Sequence, residues 1–275
     1  MGAVSELWAF RGLVANLAQR ELRAKYKKSV LGWTWSLVSP LAILGVYSIV
    51  FGTFLRIGDA IPIAGNGHTQ AFALYLFAAL VVWNLFNAIV TGSMAALAGA
   101  GPLLNKVYFP PEATIVANVL VSLLQAAAEV AILIAVMVVV ANVSWTFLLL
   151  PVVFALFVLF ATGIGLVVAI ANIYYRDIQY LVGIMLNVLF YATPIIYPLD
   201  LVRDQVGDST FLRIVLWIIE ANPITQFVQA SRELVYELRV PSLGRWAYLV
   251  VVSLASVAIG WAVFQRRAAL VSEEV

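Results

Sequence analysis

The segment Trp246–Phe264 reads WAYLVVVSLASVAIGWAVF and contains no charged residue. Basic residues stand at both of its ends, with Arg245 directly before it and Arg266 and Arg267 shortly after it. A helix that crosses the hydrocarbon core of a membrane, about 30 Å thick, needs about 20 mostly apolar residues. The segment therefore predicts a transmembrane helix with sharply defined ends.

The composition of the whole chain agrees with this prediction. Of its 275 residues, 64% are hydrophobic and 11% are charged, whereas an average soluble domain is about one quarter charged. These charged side chains are too few to cover a water-soluble globule, and the net charge of +2 is too small to indicate a polyanionic partner. The composition argues against a soluble enzyme, a disordered tail and a nucleic-acid binder. With no Cys and one His, it also argues against disulfides and ordinary zinc sites.

Six segments are long and apolar enough to cross a membrane. They are Leu37–Leu55, Phe72–Gly92, Val116–Ala141, Thr146–Ala171, Tyr180–Leu199 and Trp246–Phe264. We predict an all-α integral membrane protein with six transmembrane helices, an N-terminal amphipathic interface helix and short re-entrant helices in the last outer segment. Residues 1–275 form one transmembrane domain. Within it, residues 1–36 are cytoplasmic or interfacial, residues 37–264 form the six-span bundle, and residues 265–275 are a cytoplasmic tail.

The distribution of Lys and Arg sets the predicted orientation. With six spans and the N-terminus inside, ten basic residues are cytoplasmic and six are outside. Five of those six lie in the segment Asp200–Arg245, and long loops cross the membrane largely regardless of charge. Both termini are therefore predicted to be cytoplasmic.

The N-terminal segment has the pattern of an amphipathic helix. Apolar residues recur at Leu7, Phe10, Val14 and Leu17, which is helical spacing. The basic residues that would face anionic headgroups are Arg20, Arg23, Lys25, Lys27 and Lys28. Such a helix either orients the first span or also binds a partner protein.

Two short cytoplasmic connections carry further candidates. Between the second and third spans, glycines and Pro102 end one helix and Pro110-Pro111 delays the next, so one short helix fits between them. Its apolar residues, Leu103, Leu104, Val107 and Phe109, indicate either a plain turn or a protrusion that inserts into another protein. In the second connection, Arg176 and Asp177 are suited to capping the two flanking helix ends, which does not exclude a coupling role.

The long outer segment predicts a re-entrant hairpin. Pro194 and Pro198 break the fifth span near its end. Phe211–Ile219 is apolar but too short to cross, and Asn222-Pro223 starts a second amphipathic stretch, Ile224–Leu238. Because irregular backbone at membrane depth must be satisfied by protein or water, such a hairpin indicates a lined passage or a gate.

Within the spans, Glu129 is the clearest charged residue, near Gln125. A carboxylate in the membrane is a functional candidate, but a hydrogen-bonded structural Glu fits equally. We predict no second buried carboxylate and no buried Lys or Arg, which leaves little for a proton relay. Amides and aromatic rings at membrane depth suit either a polar path or helix packing. The candidate channel-lining residues are Trp83, Asn84, Phe86, Asn87, Glu129, Asn187 and Tyr191.

The chain also lacks the motifs of an enzyme. It has no Gly-x-x-x-x-Gly-Lys phosphate loop, and its single His68 has no Ser or Asp in a catalytic arrangement. We predict no catalytic, cofactor-binding or metal-binding residues. The chain is then predicted to be a transporter or a scaffold. If it acts as a pump, another subunit must supply the energy.

Several motifs resemble the permease subunits of ABC exporters for polysaccharides. They occur in the family order over nearly the whole chain. They are the run Arg20–Trp35 with Ser39-Pro40-Leu41, then Lys106–Pro110, Tyr175–Ile178, Thr193–Tyr197 and Asn222-Pro223-Ile224. Among these permeases, the chain looks closest to those that export the galactan of actinobacterial cell walls.

The resemblance implies the transmembrane subunit of an ATP-driven exporter in the bacterial cytoplasmic membrane. It would move a lipid-linked polysaccharide such as cell-wall galactan or an O-antigen-like glycan. Two copies would pair with two ATP-binding cassette subunits, which hold the ATP and Mg, and the channel would lie between the copies. Residues of Gly101–Glu112 and the turn at Arg176-Asp177 would contact the ATPase, and Phe211–Leu238 would close the outer exit. The implied coupling residues are Leu103, Leu104, Lys106, Val107, Tyr108, Phe109, Pro110, Arg176 and Asp177.

Two alternatives remain at this point. One is an ABC exporter permease for drugs or lipids, against which the Arg-Asp-Ile and Pro-Ile-Ile-Tyr motifs argue. The other is an intramembrane glycosyl- or acyltransferase, which would need a catalytic base near the outer face. Asp200, Asp204 and Asp208 are the only cluster suited to that role, and solvated loop anions explain them equally well.

Overall fold

A computed structural model of the chain describes residues 8–26, 34–104, 109–207 and 209–274. The described residues form helices joined by short connections, which confirms the all-α membrane fold. In chain order the helices are α1 (Arg11–Tyr26), α2 (Trp35–Tyr47, continued by the π-helical Ser48–Phe54), α3 (Phe72–Gly99), α4 (Glu112–Val139), α5 (Leu150–Tyr174), α6 (Ile178–Ala192), α7 (Leu199–Gln205), α8 (Thr210–Ala221), α9 (Pro223–Val235) and α10 (Leu243–Glu274). One-turn helices at Ile57–Ala60, Gly101–Leu104 and Trp145–Leu149 lie in the connections.

Five helical segments are long and apolar enough to span a membrane among the described residues. They are Leu37–Phe54, Phe72–Leu103, Glu112–Val139, Trp145–Tyr174 and Leu243–Arg267. Each coincides with a predicted span, and the second runs well beyond its predicted end at Gly92. The apolar runs of the sequence therefore locate these five spans correctly.

The fifth predicted span, Tyr180–Leu199, differs from the structure. Its helix, α6, ends at Ala192 and has 15 residues. At 1.5 Å per residue it is about 22 Å long, shorter than the hydrocarbon core of about 30 Å. Thr193 takes an extended conformation before Pro194, because a residue that precedes proline is disfavoured in the helix.

The outer segment contains the predicted pair of short helices, α8 and α9. They meet at an angle of 69° at Asn222, whose side chain caps α9 by accepting a hydrogen bond from the Ile224 N–H at 3.0 Å. The two helices differ in burial. α8 has no buried residue, whereas most of α9 is buried in the core. Asn222-Pro223 therefore breaks the helix as predicted, while re-entry into the membrane remains a prediction.

α3 is the central helix of the bundle, with most of its residues buried, and it packs against α4, α5 and α9. Among the described helices, α5 and α10 have the most extensive contact with each other. Their backbones approach closely at Gly163 and Gly260, where a Cβ atom on either glycine would collide with the backbone of the other helix. Small residues at such crossings are typical of membrane helix packing.

Candidate functional site

A cavity of about 400 Å³ lies between α2, α3 and α6, about halfway along α3. Its size falls in the range of small-molecule sites, which is about 300–1,000 Å³. The lining residues are Ile43, Tyr47, Leu80, Trp83, Asn84, Asn87, Thr91, Gly183, Leu186, Asn187, Phe190 and Tyr191. The cavity thus brings together five of the seven predicted channel-lining residues, from helices that are far apart in the sequence.

Aromatic rings form one side of the cavity. The Trp83 and Phe190 rings are 5.2 Å apart between centroids, and Phe190 and Tyr191 are also 5.2 Å apart, both edge to face. Tyr47 on α2 adds its ring 6.1 Å from that of Phe190. These rings, which come from three helices, give the cavity an apolar wall.

Amide side chains form its polar side. Asn87 on α3 and Asn187 on α6 are both exposed, and Asn84 is half-buried. An amide that is transferred to hydrocarbon without a hydrogen-bond partner costs about 4–8 kcal/mol. Because these amides lie in the middle of their helices, this surface is suited to facing water or protein and unsuited to facing lipid.

Glu129 lies behind this cavity and does not line it. Its side chain is 1% exposed. Its carboxylate accepts hydrogen bonds from Asn84 Nδ2 at 3.0 Å and from Gln125 Nε2 at 3.4 Å. Glu129 therefore lies outside the lining of this cavity, because α4 directs the carboxylate against the inner side of α3, and its role as a channel-lining residue stays a prediction. The alternative of a hydrogen-bonded structural Glu agrees with these contacts.

Phe86 is also absent from the cavity wall. Its ring is 2% exposed and stacks on Phe160 at a centroid distance of 6.0 Å, in a cluster with Phe157. It lies three residues after Trp83 on the same helix, and the helical rotation turns it toward the core between α3 and α5. The channel-lining role of Phe86 stays a prediction, which this cavity does not support.

A buried arginine, Arg232 on α9, was missed by the sequence reasoning, which expected no buried Lys or Arg. Its side chain is 0% exposed. The guanidinium donates to the backbone carbonyls of Tyr75 at 3.2 Å, Pro194 at 2.6 Å and Ile195 at 2.6 Å. Helical spacing was the available signal, since Ile224, Val228 and Arg232 follow one another at intervals of four on one face.

Two further buried carboxylates lie outside the predicted spans, where no such residue was identified. Glu112 is 4% exposed and Glu233 is 7% exposed. Glu233 forms ion pairs with Arg239 and Arg245, and Gln265 donates a hydrogen bond to Glu112 at 3.2 Å. Both lie at the ends of helices, where such partners are available.

The two motifs of the outer segment are joined in the fold. Asn222 Nδ2 donates to Thr193 Oγ1 at 3.0 Å, which connects Asn222-Pro223-Ile224 with Thr193–Tyr197. Further polar contacts fix α9 in the bundle, from Ser231 Oγ to the Ala78 carbonyl at 3.1 Å and from Thr146 Oγ1 to the Leu234 carbonyl at 2.7 Å. The pair α8 and α9 is thus attached to α3 and to the end of α6.

At the other end of the bundle, α1 packs on the beginning of α4. Val14, Leu17 and Ala18 of α1 form a buried cluster with Phe109 and with three residues of α4, which are Ala113, Ala117 and Val121. Arg20 and Arg23 are exposed, so the amphipathic pattern of α1 is confirmed. Its apolar face contacts the protein itself. Leu7, Lys27, Lys28 and the side chain of Lys25 lie outside the described residues.

The same cluster changes the interpretation of the predicted coupling segment. Phe109 is 2% exposed and Pro110 is buried, so in this structure neither presents an apolar surface to another protein. The reason is that α1 covers this side of the segment. Leu103 packs at the edge of the cluster. Lys106, Val107, Tyr108 and the side chain of Leu104 lie outside the described residues.

Arg176 and Asp177 are both exposed in the turn between α5 and α6. Asp177 is the N-cap residue of α6, but its side chain makes no capping hydrogen bond. Asn172 fills this role, since its Oδ1 accepts from the Gln179 N–H at 3.1 Å. Asp177 therefore provides no hydrogen-bonded cap for α6, and capping through the charges of Arg176 and Asp177 stays a prediction.

Comparison with known proteins agrees with this architecture. The chain is 28% identical over 265 residues to the O-antigen export system permease protein RfbA of Myxococcus xanthus, covering 96% of this chain and 95% of the relative. It is 26% identical to the Klebsiella pneumoniae O-antigen export system permease protein RfbA, covering 81% and 79%. It is also 26% identical to the polysialic acid transport protein KpsM of Escherichia coli, covering 92% and 93%. Residues 13–236 match the family described as ABC-2 type transporter, and the chain belongs to this family of membrane transport proteins.

Proposed function

We propose that the chain is the transmembrane subunit of an ATP-driven exporter that moves a lipid-linked polysaccharide across the bacterial cytoplasmic membrane. The cargo would be cell-wall galactan or an O-antigen-like glycan. The observation that carries this proposal is the cavity at mid-length of α3, where exposed amides and aromatic rings face out of the bundle. The names of the relatives support a glycan as the cargo.

The exposed amides also support a second copy of the chain. Asn87 and Asn187 lie on an outer surface of the bundle at a depth where lipid would leave them without hydrogen-bond partners. A homodimer that placed this surface of each copy on a shared axis would enclose a passage lined by amides and rings. The passage would be closed to lipid and open to the glycan.

The energy would come from two ATP-binding cassette subunits, which hold the ATP and Mg. Their contacts would be made by Leu103, Leu104, Lys106, Val107 and Tyr108 and by the turn at Arg176-Asp177. Phe109 and Pro110 would act inside the chain, because both are buried and Phe109 joins this segment to α1 and α4. When an ATPase subunit displaces this segment, the movement would then be transmitted to α4 through the buried cluster. In this arrangement both termini are cytoplasmic.

Purification of the chain from its native membrane tests the proposal. We expect an ATPase subunit to co-purify in equal amount, and depletion of the chain to cause a lipid-linked glycan to accumulate on the cytoplasmic side. Isolation of the chain without an ATPase, or a chain that alone modifies a lipid-linked sugar, would contradict the proposal. Substitution of Arg176 and Asp177 by alanine should weaken ATPase binding without loss of thermal stability, because both side chains are exposed.

A further inference from the structure

The cavity between α2, α3 and α6 contains no charged side chain among its lining residues, none of which is Asp, Glu, Lys, Arg or His. The same holds along the entire helices. Trp35–Phe54, Phe72–Gly99 and Ile178–Ala192 contain no Asp, Glu, Lys or Arg. A molecule that moves along this surface therefore meets no charged side chain of these helices at any depth.

Amides, hydroxyls and aromatic rings are among the groups that line the cavity. Asn87 and Asn187 offer donors and acceptors that suit neutral hydroxyl groups, and Thr91, whose hydroxyl donates to the Asn87 carbonyl at 2.6 Å, offers an acceptor. Tyr191 is 63% exposed and offers a flat ring surface, whereas Trp83 is 7% exposed and contributes little of its ring. This combination fits a sugar residue, which presents hydroxyls at its rim and C–H groups on its faces.

The contact between Asn84 and Glu129 uses part of the hydrogen-bonding capacity of Asn84. One of the two Nδ2 hydrogens of Asn84 binds the Glu129 carboxyl group at 3.0 Å, which leaves one N–H donor and the Oδ1 acceptor. This pair suits a hydroxyl group, which both donates and accepts, better than a carboxylate, which only accepts.

We infer that the cavity takes uncharged sugar residues and discriminates against acidic ones, so that the exported polymer is a neutral glycan. An anion at membrane depth needs a cation or water as a partner, and these three helices provide no cation. The inference rests on the proposed export function and narrows its substrate class. It separates the cargo of this chain from that of KpsM, whose name specifies polysialic acid.

Transport by the purified permease–ATPase complex in proteoliposomes tests this inference. Three oligosaccharides of equal length on the same polyprenyl diphosphate carrier serve as probes. One contains only neutral hexoses, one carries hexuronic acids at alternate positions, and one carries the methyl esters of those acids. The shared carrier removes the charge of the diphosphate from the comparison, and the methyl ester keeps the shape of the acid without its charge. The measurement is the ATP-dependent appearance of each glycan at the opposite face, detected with a membrane-impermeant glycosidase.

We expect the neutral and esterified probes to move at similar rates and the free acid at least about tenfold more slowly. Equal rates for the free acid and its ester would overturn the inference while leaving the export function intact. If none of the probes moves although the complex hydrolyses ATP, the proposed function fails, and the inference fails with it. Asn187→Lys, which places a cation in the cavity, should reduce the discrimination, whereas Asn187→Gln should preserve it. Unchanged discrimination in Asn187→Lys would contradict the role given to this cavity.

Discussion

Arg232 and Tyr75 are joined by two contacts at once. The Nε–H of Arg232 donates to the Tyr75 carbonyl at 3.2 Å, and the guanidinium carbon lies 3.7 Å from the centre of the Tyr75 ring. The same guanidinium binds the carbonyls of Pro194 and Ile195, where α6 has ended. One buried cation therefore holds α9, α3 and the segment after the C-terminal end of α6 in a fixed arrangement.

Removal of this cation is expected to destabilise the protein. Arg232→Met keeps the length of the side chain but leaves the buried carbonyls of Pro194 and Ile195 without this donor, at a cost of about 1–3 kcal/mol for each unsatisfied group. We expect a melting temperature in detergent that is lower by at least about 5 °C. Arg239→Met is the matched control, because Arg239 is a 63% exposed arginine whose ion pairs contribute about 1 kcal/mol or less. Equal melting temperatures for the two variants would contradict the role assigned to Arg232.

The polar surface of the cavity predicts a pattern of chemical labelling. The sequence contains no cysteine, so single cysteines report on their own positions. Asn187→Cys in the assembled complex should react with a water-soluble maleimide, because the cavity is expected to contain water. Val188→Cys, next along α6 and 64% exposed, should stay unlabelled because it faces lipid. Protection of Asn187→Cys would instead indicate that the second copy fills the cavity.

The contacts of Glu129 predict a structural role. Glu129→Gln keeps an oxygen acceptor for the amide of Asn84 or Gln125, and we expect at least about half of the transport rate to remain. Glu129→Leu removes both acceptors and should lower the free energy of unfolding by about 1–3 kcal/mol. Transport rates and melting temperatures of the two variants check this. A well-folded Glu129→Gln without transport would show that the carboxyl group itself takes part in export.

The packing of α1 on α4 predicts a stability effect at Leu17. Leu17 is 8% exposed, and Leu17→Ala should cost about 2–5 kcal/mol by opening a cavity in the cluster with Phe109. Asn16→Ala, one residue earlier on the exposed side of α1, should have little effect. Thermal unfolding in detergent measures both. A stable Leu17→Ala would mean that α1 is held by the membrane and that its contact with α4 contributes little.

Glu237, just beyond α9, predicts a pH dependence. Burial raises the pKa of its carboxyl group above the ordinary value, and the nearby Arg239 opposes this shift. A raised folded-state pKa means that Glu237 contributes stability below its unfolded pKa, and that this contribution is lost as the pH rises through the folded pKa. The stability of Glu237→Gln relative to the natural chain should therefore increase between pH 4 and pH 7. A constant or decreasing difference over this interval would contradict the assigned shift.

Residues whose role follows from local pattern could be predicted from the sequence. The ends of Leu243–Arg267 follow from an apolar run between arginines, and the break at Asn222 follows from a capping side chain before a proline. Asn84, Asn87 and Asn187 were identified as polar residues at membrane depth. Their meeting in one cavity depends on how α3 and α6 pack, which periodicity does not determine.

Roles that an interaction partner decides could not be predicted from the sequence. An apolar residue in a connection, such as Phe109, gives no sign of which surface covers it, and in this structure α1 does so. Arg232 was not expected to be buried, because a charge is costly to bury. The Pro194 and Ile195 carbonyls beyond the end of α6, the Tyr75 carbonyl on α3 and the Tyr75 ring compensate for that cost. Both cases depend on contacts between segments far apart in the sequence.

The absence of charge from α2, α3 and α6 also bears on the electrical properties of the transporter. The voltage across a membrane does work of about 2.3 kcal/mol on each elementary charge that moves through 100 mV. These three helices carry no gating charge, so they can tilt or separate without being driven or opposed by the membrane potential. Any voltage dependence of the proposed passage would therefore have to come from charges on other parts of the transporter.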